Sequence, residues 1–113
     1  MTPLELAEKY MDCVFEKGNL EELRNILSDD LQFRGPYFNF DSADDYVNSL
    51  RNDPPQGFEY EIIKCYADDS SACLVYIFSK PGVSTPMTQT FETMDGKIKS
   101  ILLIFGTVAF QPE

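Results

Sequence analysis

The residues of this sequence best placed to do chemistry are phenols and carboxylates, because it contains no histidine. Without an imidazole, His-dependent nucleophilic triads fall away, and so do most transition-metal sites. Tyr10, Tyr37 and Tyr46 lie in apolar surroundings, where a phenol can offer a hydrogen bond. Paired carboxylates could do acid–base work. Asp12 and Glu16, however, share the polar side of a helical stripe, and Asp29, Asp30, Asp44 and Asp45 stand at cap and turn positions, where carboxylates satisfy helix N-termini. Glu59 and Glu61 alternate with Phe58, Tyr60 and Ile62 as the wet side of a strand. Cys13, Cys65 and Cys73 show no Cys-x-x-Cys spacing, so neither a zinc nor a thioredoxin-like site is expected. Cys65 and Cys73 flank a turn and could bridge; reduced thiols in a cytoplasmic protein are the preferred reading. With no glycine-rich phosphate loop and no metal-ligand cluster, no cofactor is expected.

Bulk properties narrow the partners. A length of 113 residues with 43% hydrophobic content suits one domain spanning residues 1–113 with a real core. A net charge of −10 argues against nucleic acid and against an anionic membrane surface. No apolar run reaches the ~20 residues of a membrane span, and Met-Thr-Pro-Leu-Glu does not read as a secretory signal.

The elements that must position these residues follow from periodicity. Thr2-Pro3-Leu4-Glu5 reads as a capped helix start, with Ala7, Tyr10, Met11 and Val14 on one stripe and Gly18 as its end. Asn19 with Glu22 caps a second, shorter helix that buries Leu20, Leu23, Ile26 and Leu27 and breaks at Ser28-Asp29-Asp30. From Leu31 the period becomes two, ending at Pro36. Ser42 and Asp45 open a third helix with Tyr46, Val47 and Leu50 inward. Strands are expected over 58–67 and 72–80, then a loop over 80–86. A final hairpin, 87–94 and 97–110, turns at Asp95-Gly96 as a type I′ turn, which places Glu92 opposite Lys99.

This order, helix, helix, strand, helix, then four strands, resembles the nuclear transport factor 2-like superfamily, which includes ketosteroid isomerases and SnoaL-like polyketide cyclases. Its most specific stretch is Gly18-Asn19-Leu20 through Ile26-Leu27-Ser28-Asp29-Asp30 to Pro36, with Asp95-Gly96-Lys97-Ile98 similar to the family's penultimate turn. The resemblance implies an α+β cone: three N-terminal helices packed in a curved, mostly antiparallel sheet, with a pocket for a small apolar molecule at the open end. It also maps the isomerase residues onto this chain. The base position falls on Gly35, the second acid on Thr88, and the tyrosine near Met11, one residue from Tyr10. A glycine cannot abstract a proton and a threonine is not an acid. The isomerase mechanism therefore lacks its base, and the His-dependent cyclase and dehydratase mechanisms lack their histidine.

With the turn centred on Asp95-Gly96, Thr88 pairs near Leu103 and Thr90 near Ile101, and Phe105 continues that face. The family comparison assigns this face to the cavity. Phe33, Gly35 and Tyr37 are expected to point the same way, with Met11 and Val14 from the first helix, Tyr10 at the margin and Tyr46 closing the mouth. Ile98, Leu102, Ile104 and Val108, opposite Met87 and Phe91, are assigned to the outer face, and superfamily members often dimerise through that face. A homodimer with an isologous interface is expected. Three functions stay open, in this order: binding of a small apolar molecule without known catalysis, a SnoaL-like lyase or isomerase with a non-standard acid–base set, and a protein-interaction module.

Overall fold

The computed structural model describes residues 1–110. Thr2 caps α1 (Pro3–Met11) by accepting from the Glu5 amide, while Glu5 Oε1 accepts from the Thr2 amide. That reciprocal pair satisfies two of the free amides of the first turn. Past Met11 the coil widens into π-helical turns (Asp12–Lys17) and stops at Gly18, whose φ of 61° is left-handed. Along this run Leu6, Ala7, Tyr10, Met11 and Val14 are all buried.

Asn19 starts α2 (Leu20–Asn25) by accepting from the Glu22 amide at 3.0 Å. The next strand, β1 (Leu27–Arg34), begins sooner than periodicity suggested and takes in Ser28, Asp29 and Asp30. The reason is a bulge. Leu27 pairs with Ile98 but Gln32 with Ser100, so β1 carries surplus residues there, and Asp29 and Asp30 remain in solvent. Arg24 ties the bulge down, donating to Asp29 at 2.6 Å, to Asp44 at 2.8 Å and to the Leu27 carbonyl at 3.2 Å.

A two-residue strand that periodicity did not indicate, β2 (Asn39–Phe40), folds back on β1. Ser42 accepts from the Asp45 amide at 3.1 Å to cap α3 (Ala43–Asn52), which buries Tyr46 and Val47. The remainder is sheet: β3 (Glu59–Ala67), β4 (Ser71–Lys80), β5 (Val83–Met94) and β6 (Lys97–Phe105), then a 3-10 turn at Thr107–Phe110. The strands lie in the order β2-β1-β6-β5-β4-β3, and only β1 and β6 run parallel. The curved, unclosed sheet receives α1 on its concave side. Among the described residues no helix is long and apolar enough to cross a membrane.

The loop expected over 80–86 is instead a tight turn at Pro81-Gly82, and β5 already pairs with β4 from Val83. Pro86 is tolerated inside β5 because β6 ends opposite Met87. The missing amide lies beyond the ladder on that side.

The last hairpin alters the predicted site. Asp95 and Gly96 adopt φ of 54° and 77°, the type I′ geometry expected of them. Met94 pairs with Lys97 and Thr93 with Ile98, but Glu92 pairs with Ser100, leaving Lys99 as an extra residue. Glu92 therefore does not face Lys99. Because side chains alternate with period two, this one-residue bulge leaves Ile101, Leu103 and Phe105 inside as expected but exchanges the faces of their β5 partners and of Ile98. Met87, Gln89 and Phe91 point inward with Phe105, Leu103 and Ile101; Thr88 and Thr90 point outward with Ile104 and Leu102. Ile98, Met87 and Phe91 thus belong to the core rather than the outer face. Leu102 and Ile104 remain exposed on the outer face, as expected, whereas the strand expected to run to 110 ends at Phe105 and Val108 lies in the 3-10 turn beyond the sheet.

Cys65 pairs with Leu74, which is buried, whereas Cys73 pairs with Tyr66 between buried Ala72 and Leu74. Their side chains leave opposite faces of the sheet, and the two form no disulfide with each other.

Candidate functional site

Inside the cone the candidate residues separate into those the fold brings together and those it does not. Tyr10 and Met11 of α1, Phe33 of β1, Tyr46 of α3 and Ile101 of β6 are buried side by side. The Phe33 and Tyr46 rings stack at 4.8 Å between centroids, and Tyr10 meets Phe91 edge-on at 5.2 Å. Val14 is buried one helical turn along, and Leu103 is half-buried on the same sheet face. Thr88 and Thr90 lie outside, for the register reason given above. Tyr37, 51% exposed, stands at the rim, its hydroxyl 3.4 Å from the Thr107 carbonyl and its ring against Phe105.

Gly35 does face this interior. A Cβ there would meet the Phe33 ring at 3.4 Å and Leu103 Cβ at 3.6 Å, ordinary van der Waals contact. The position onto which the resemblance maps the isomerase base is therefore structurally open to a side chain but carries none.

At the centre lies a polar cluster that sequence reasoning recovered only in part. The hydroxyls of Tyr10 and Tyr46 are hydrogen-bonded to each other, and Tyr10 also bonds to Gln89. The Tyr76 hydroxyl donates to Gln89 Oε1 at 2.9 Å. All four residues are at most 5% exposed, and no buried side-chain nitrogen or oxygen among the described residues lacks a partner. Tyr46 is not a flap at the mouth but half of this pair. Burial pushes the Tyr10 phenol up to about 12, against the lowering influence of its bonds to Tyr46 and Gln89. Burial, reinforced by Tyr10, holds Tyr46 well above the ordinary phenol range, and burial raises Tyr76 likewise. At neutral pH these phenols are O–H donors and not bases. No Asp or Glu is buried among the described residues.

Gln89 and Tyr76 were missed because the expected hairpin register turned Gln89 outward. A signal was present: Lys99 and Ser100 stand together between Ile98 and Ile101, where a regular half-buried strand would alternate.

Two clefts open elsewhere, outside the cone. One of about 330 Å³ lies between α2 and α3, lined by Leu20, Glu21, Arg24, Asp44 and Arg51. Its two carboxylates offset its two arginines, and Arg24 is already committed to Asp29 and Asp44. The other, about 240 Å³, is lined by Val14, Gly18, Leu20, Leu50 and the Pro54-Pro55 turn.

A helix lodged in the concave side of a six-stranded, mostly antiparallel sheet is the architecture of nuclear transport factor 2-like proteins. A nuclear transport factor 2-like protein of unknown function from Cytophaga hutchinsonii superposes with a TM-score of 0.81 at 19% identity, over 95% of this chain and 92% of that one. An epoxide hydrolase from M. tuberculosis, of the LEH-like type, gives 0.79 at 19% identity, over 93% and 83%. A further protein of unknown function from Burkholderia xenovorans gives 0.73 at 14%, over 92% and 85%. These likenesses establish the fold. The SnoaL-like domain family matches residues 7–101, and the chain belongs to that family. No curated protein matches it.

Proposed function

We propose that this SnoaL-like domain binds a small, largely apolar molecule in its cone and performs no proton abstraction on it. The observation that carries the reading is the cluster of Tyr10, Tyr46, Tyr76 and Gln89, four hydrogen-bonding side chains inside an otherwise apolar interior. An interior needed only for stability is served at least as well by apolar groups of the same shape, because burying polar groups forfeits their hydration. Neutral phenols and an amide suit a carbonyl or phenolic oxygen at one end of an apolar ligand. A lyase or isomerase needs a base as well, and neither Gly35 nor any buried carboxylate among the described residues supplies one.

The test is calorimetric titration with 2-naphthol, a flat phenol. Saturable one-to-one binding is expected, weakened about tenfold in Tyr46→Phe, the loss of one buried hydrogen bond. Heats that fail to saturate at millimolar naphthol in the wild type defeat the reading.

The outer sheet face supports a second part of the proposal, a homodimer. Leu102 and Ile104 are 43% and 51% exposed beside Thr88 and Thr90, on the side of the sheet away from α1. An apolar strip there is covered by the same strip of a second copy in an isologous interface. Sedimentation at micromolar concentration is expected to give dimers, and monomers alone under those conditions refute this part. Nucleic acid and membrane are not partners in this proposal, given the net charge of −10. Cys65 and Cys73, unbridged although they flank one hairpin, favour the cytoplasm as its compartment.

A further inference from the structure

The rim of the cone is closed by the chain's own last described turn. Phe110, at the end of Thr107–Phe110, sets its ring 5.1 Å from Phe105, 6.0 Å from Phe78 and 6.2 Å from Tyr37. Phe105 is on the inner face of β6, and Phe78 follows Tyr76 on the inner face of β4. Phe110 therefore sits above the hydrogen-bonding cluster, as an outer layer of the same interior. Next in the β4 alternation comes Lys80, whose ammonium lies 5.3 Å from the centroid of Phe110 and 5.8 Å from that of Phe58. No described carboxylate forms an ion pair with Lys80. Among the described residues its charge is met by ring faces alone, a weaker partner than an anion.

We propose that Phe110 occupies the place of a ligand ring, and that the ligand is an aromatic monoanion which displaces Phe110 and pairs its charge with Lys80. The proposal rests on the reading that the cone binds a ligand, and adds to it the charge of that ligand and the device that admits it. A phenyl ring held by aromatic edges and one cation is a fair copy of an arenecarboxylate or arenesulfonate without its anionic group. The turn can leave without unravelling the sheet. It follows Gly106, β6 has already ended at Phe105, and among the described residues a long contact, Tyr37 hydroxyl to the Thr107 carbonyl at 3.4 Å, holds its backbone. Elsewhere on the surface a net charge of −10 disfavours an anion, which makes an anion preference at this rim diagnostic.

Two dyes with the same ring system separate the claims: 8-anilinonaphthalene-1-sulfonate and the neutral N-phenyl-1-naphthylamine, both fluorescent when bound. Each is titrated into wild type, Lys80→Met and Phe110→Ala, with circular dichroism to confirm the fold and Phe110→Leu as the milder variant. The expected result is tighter binding of the sulfonate dye to wild type, with a loss of about fivefold in Lys80→Met and no change for the neutral dye, the scale of one partly exposed ion pair. Both dyes are expected to bind about tenfold tighter to Phe110→Ala, since the ring contacts of Phe110 no longer compete. If both dyes bind wild type equally and neither variant alters them, the stopper and the anion preference are wrong while ligand binding in the cone survives. If neither dye binds any variant, both readings fall together.

Discussion

Replacing Phe91 by alanine is expected to remove about 3–5 kcal/mol of folding stability, the usual cost of deleting a large buried ring. Phe91 is 0% exposed, pairs across the sheet with Ile101 and Ala72, and sets its ring edge-on to Tyr10. Native stability is only about 5–15 kcal/mol for a domain, so much of the margin goes. With a urea slope of about 2 kcal/mol per molar, the unfolding midpoint drops by about 2 M. Thr90→Ala, one step away on the outer face, is expected to stay within about 1 kcal/mol. The comparison tests the Lys99 bulge directly. A regular hairpin ladder puts Thr90 inside and Phe91 outside, and in that case the severe and mild variants change places.

The second large effect is alkaline. Tyr10 is pushed up to about 12 and Tyr46 and Tyr76 are raised too, in each case chiefly by burial, whereas an unfolded phenol titrates near 10.0. Below that unfolded value the folded and unfolded chains bind these protons equally, and the stabilisation is fully present. As pH rises through 10 the unfolded chain releases protons that the folded chain retains, so stability falls. At about 1.4 kcal/mol per pH unit, Tyr10 alone accounts for roughly 3 kcal/mol between pH 10 and 12, and its two partners add to it. Urea midpoints should therefore hold steady up to pH 10 and fall steeply above it. Absorbance at 295 nm should show the buried phenols ionising together with the loss of ellipticity. Smooth ionisation of every tyrosine near pH 10 in a chain that stays folded contradicts a buried cluster.

Much of this molecule was legible in its sequence, because most of its signals are local. The Thr2-Glu5 and Asn19-Glu22 caps, the Tyr10-Met11-Val14 stripe and the Asp95-Gly96 turn each depend on residues a few positions apart, and each formed as read. The family resemblance supplied the topology, which local signals do not fix. What local signals could not deliver was register. Whether Thr88 or Gln89 faces the interior depends on one extra residue, Lys99, on the neighbouring strand. The early start of β1 has the same origin, since Ser28 to Asp30 look like a helix breaker until Leu27 is seen paired with Ile98. The polar cluster was half visible. Tyr10 and Tyr46 were picked out as phenols on buried faces, whereas Tyr76 and Gln89 join them only through the β4–β5 pairing, in which no short sequence pattern records a contact.

The central claim, a ligand site within the cone, is tested most directly by methyl resonances of the methionines. Met11 and Met87 lie in the interior at 0% and 6% exposure, while Met1 and Met94 are 66% and 56% exposed and outside that interior. In protein labelled with carbon-13 at the methionine methyls, 2-naphthol should shift Met11 and Met87 saturably and leave Met1 and Met94 unmoved, because ring currents act only at short range. Shifts confined to Met94 and Met1, or none at Met11 and Met87 up to millimolar naphthol, would contradict the account and leave the cone as core alone.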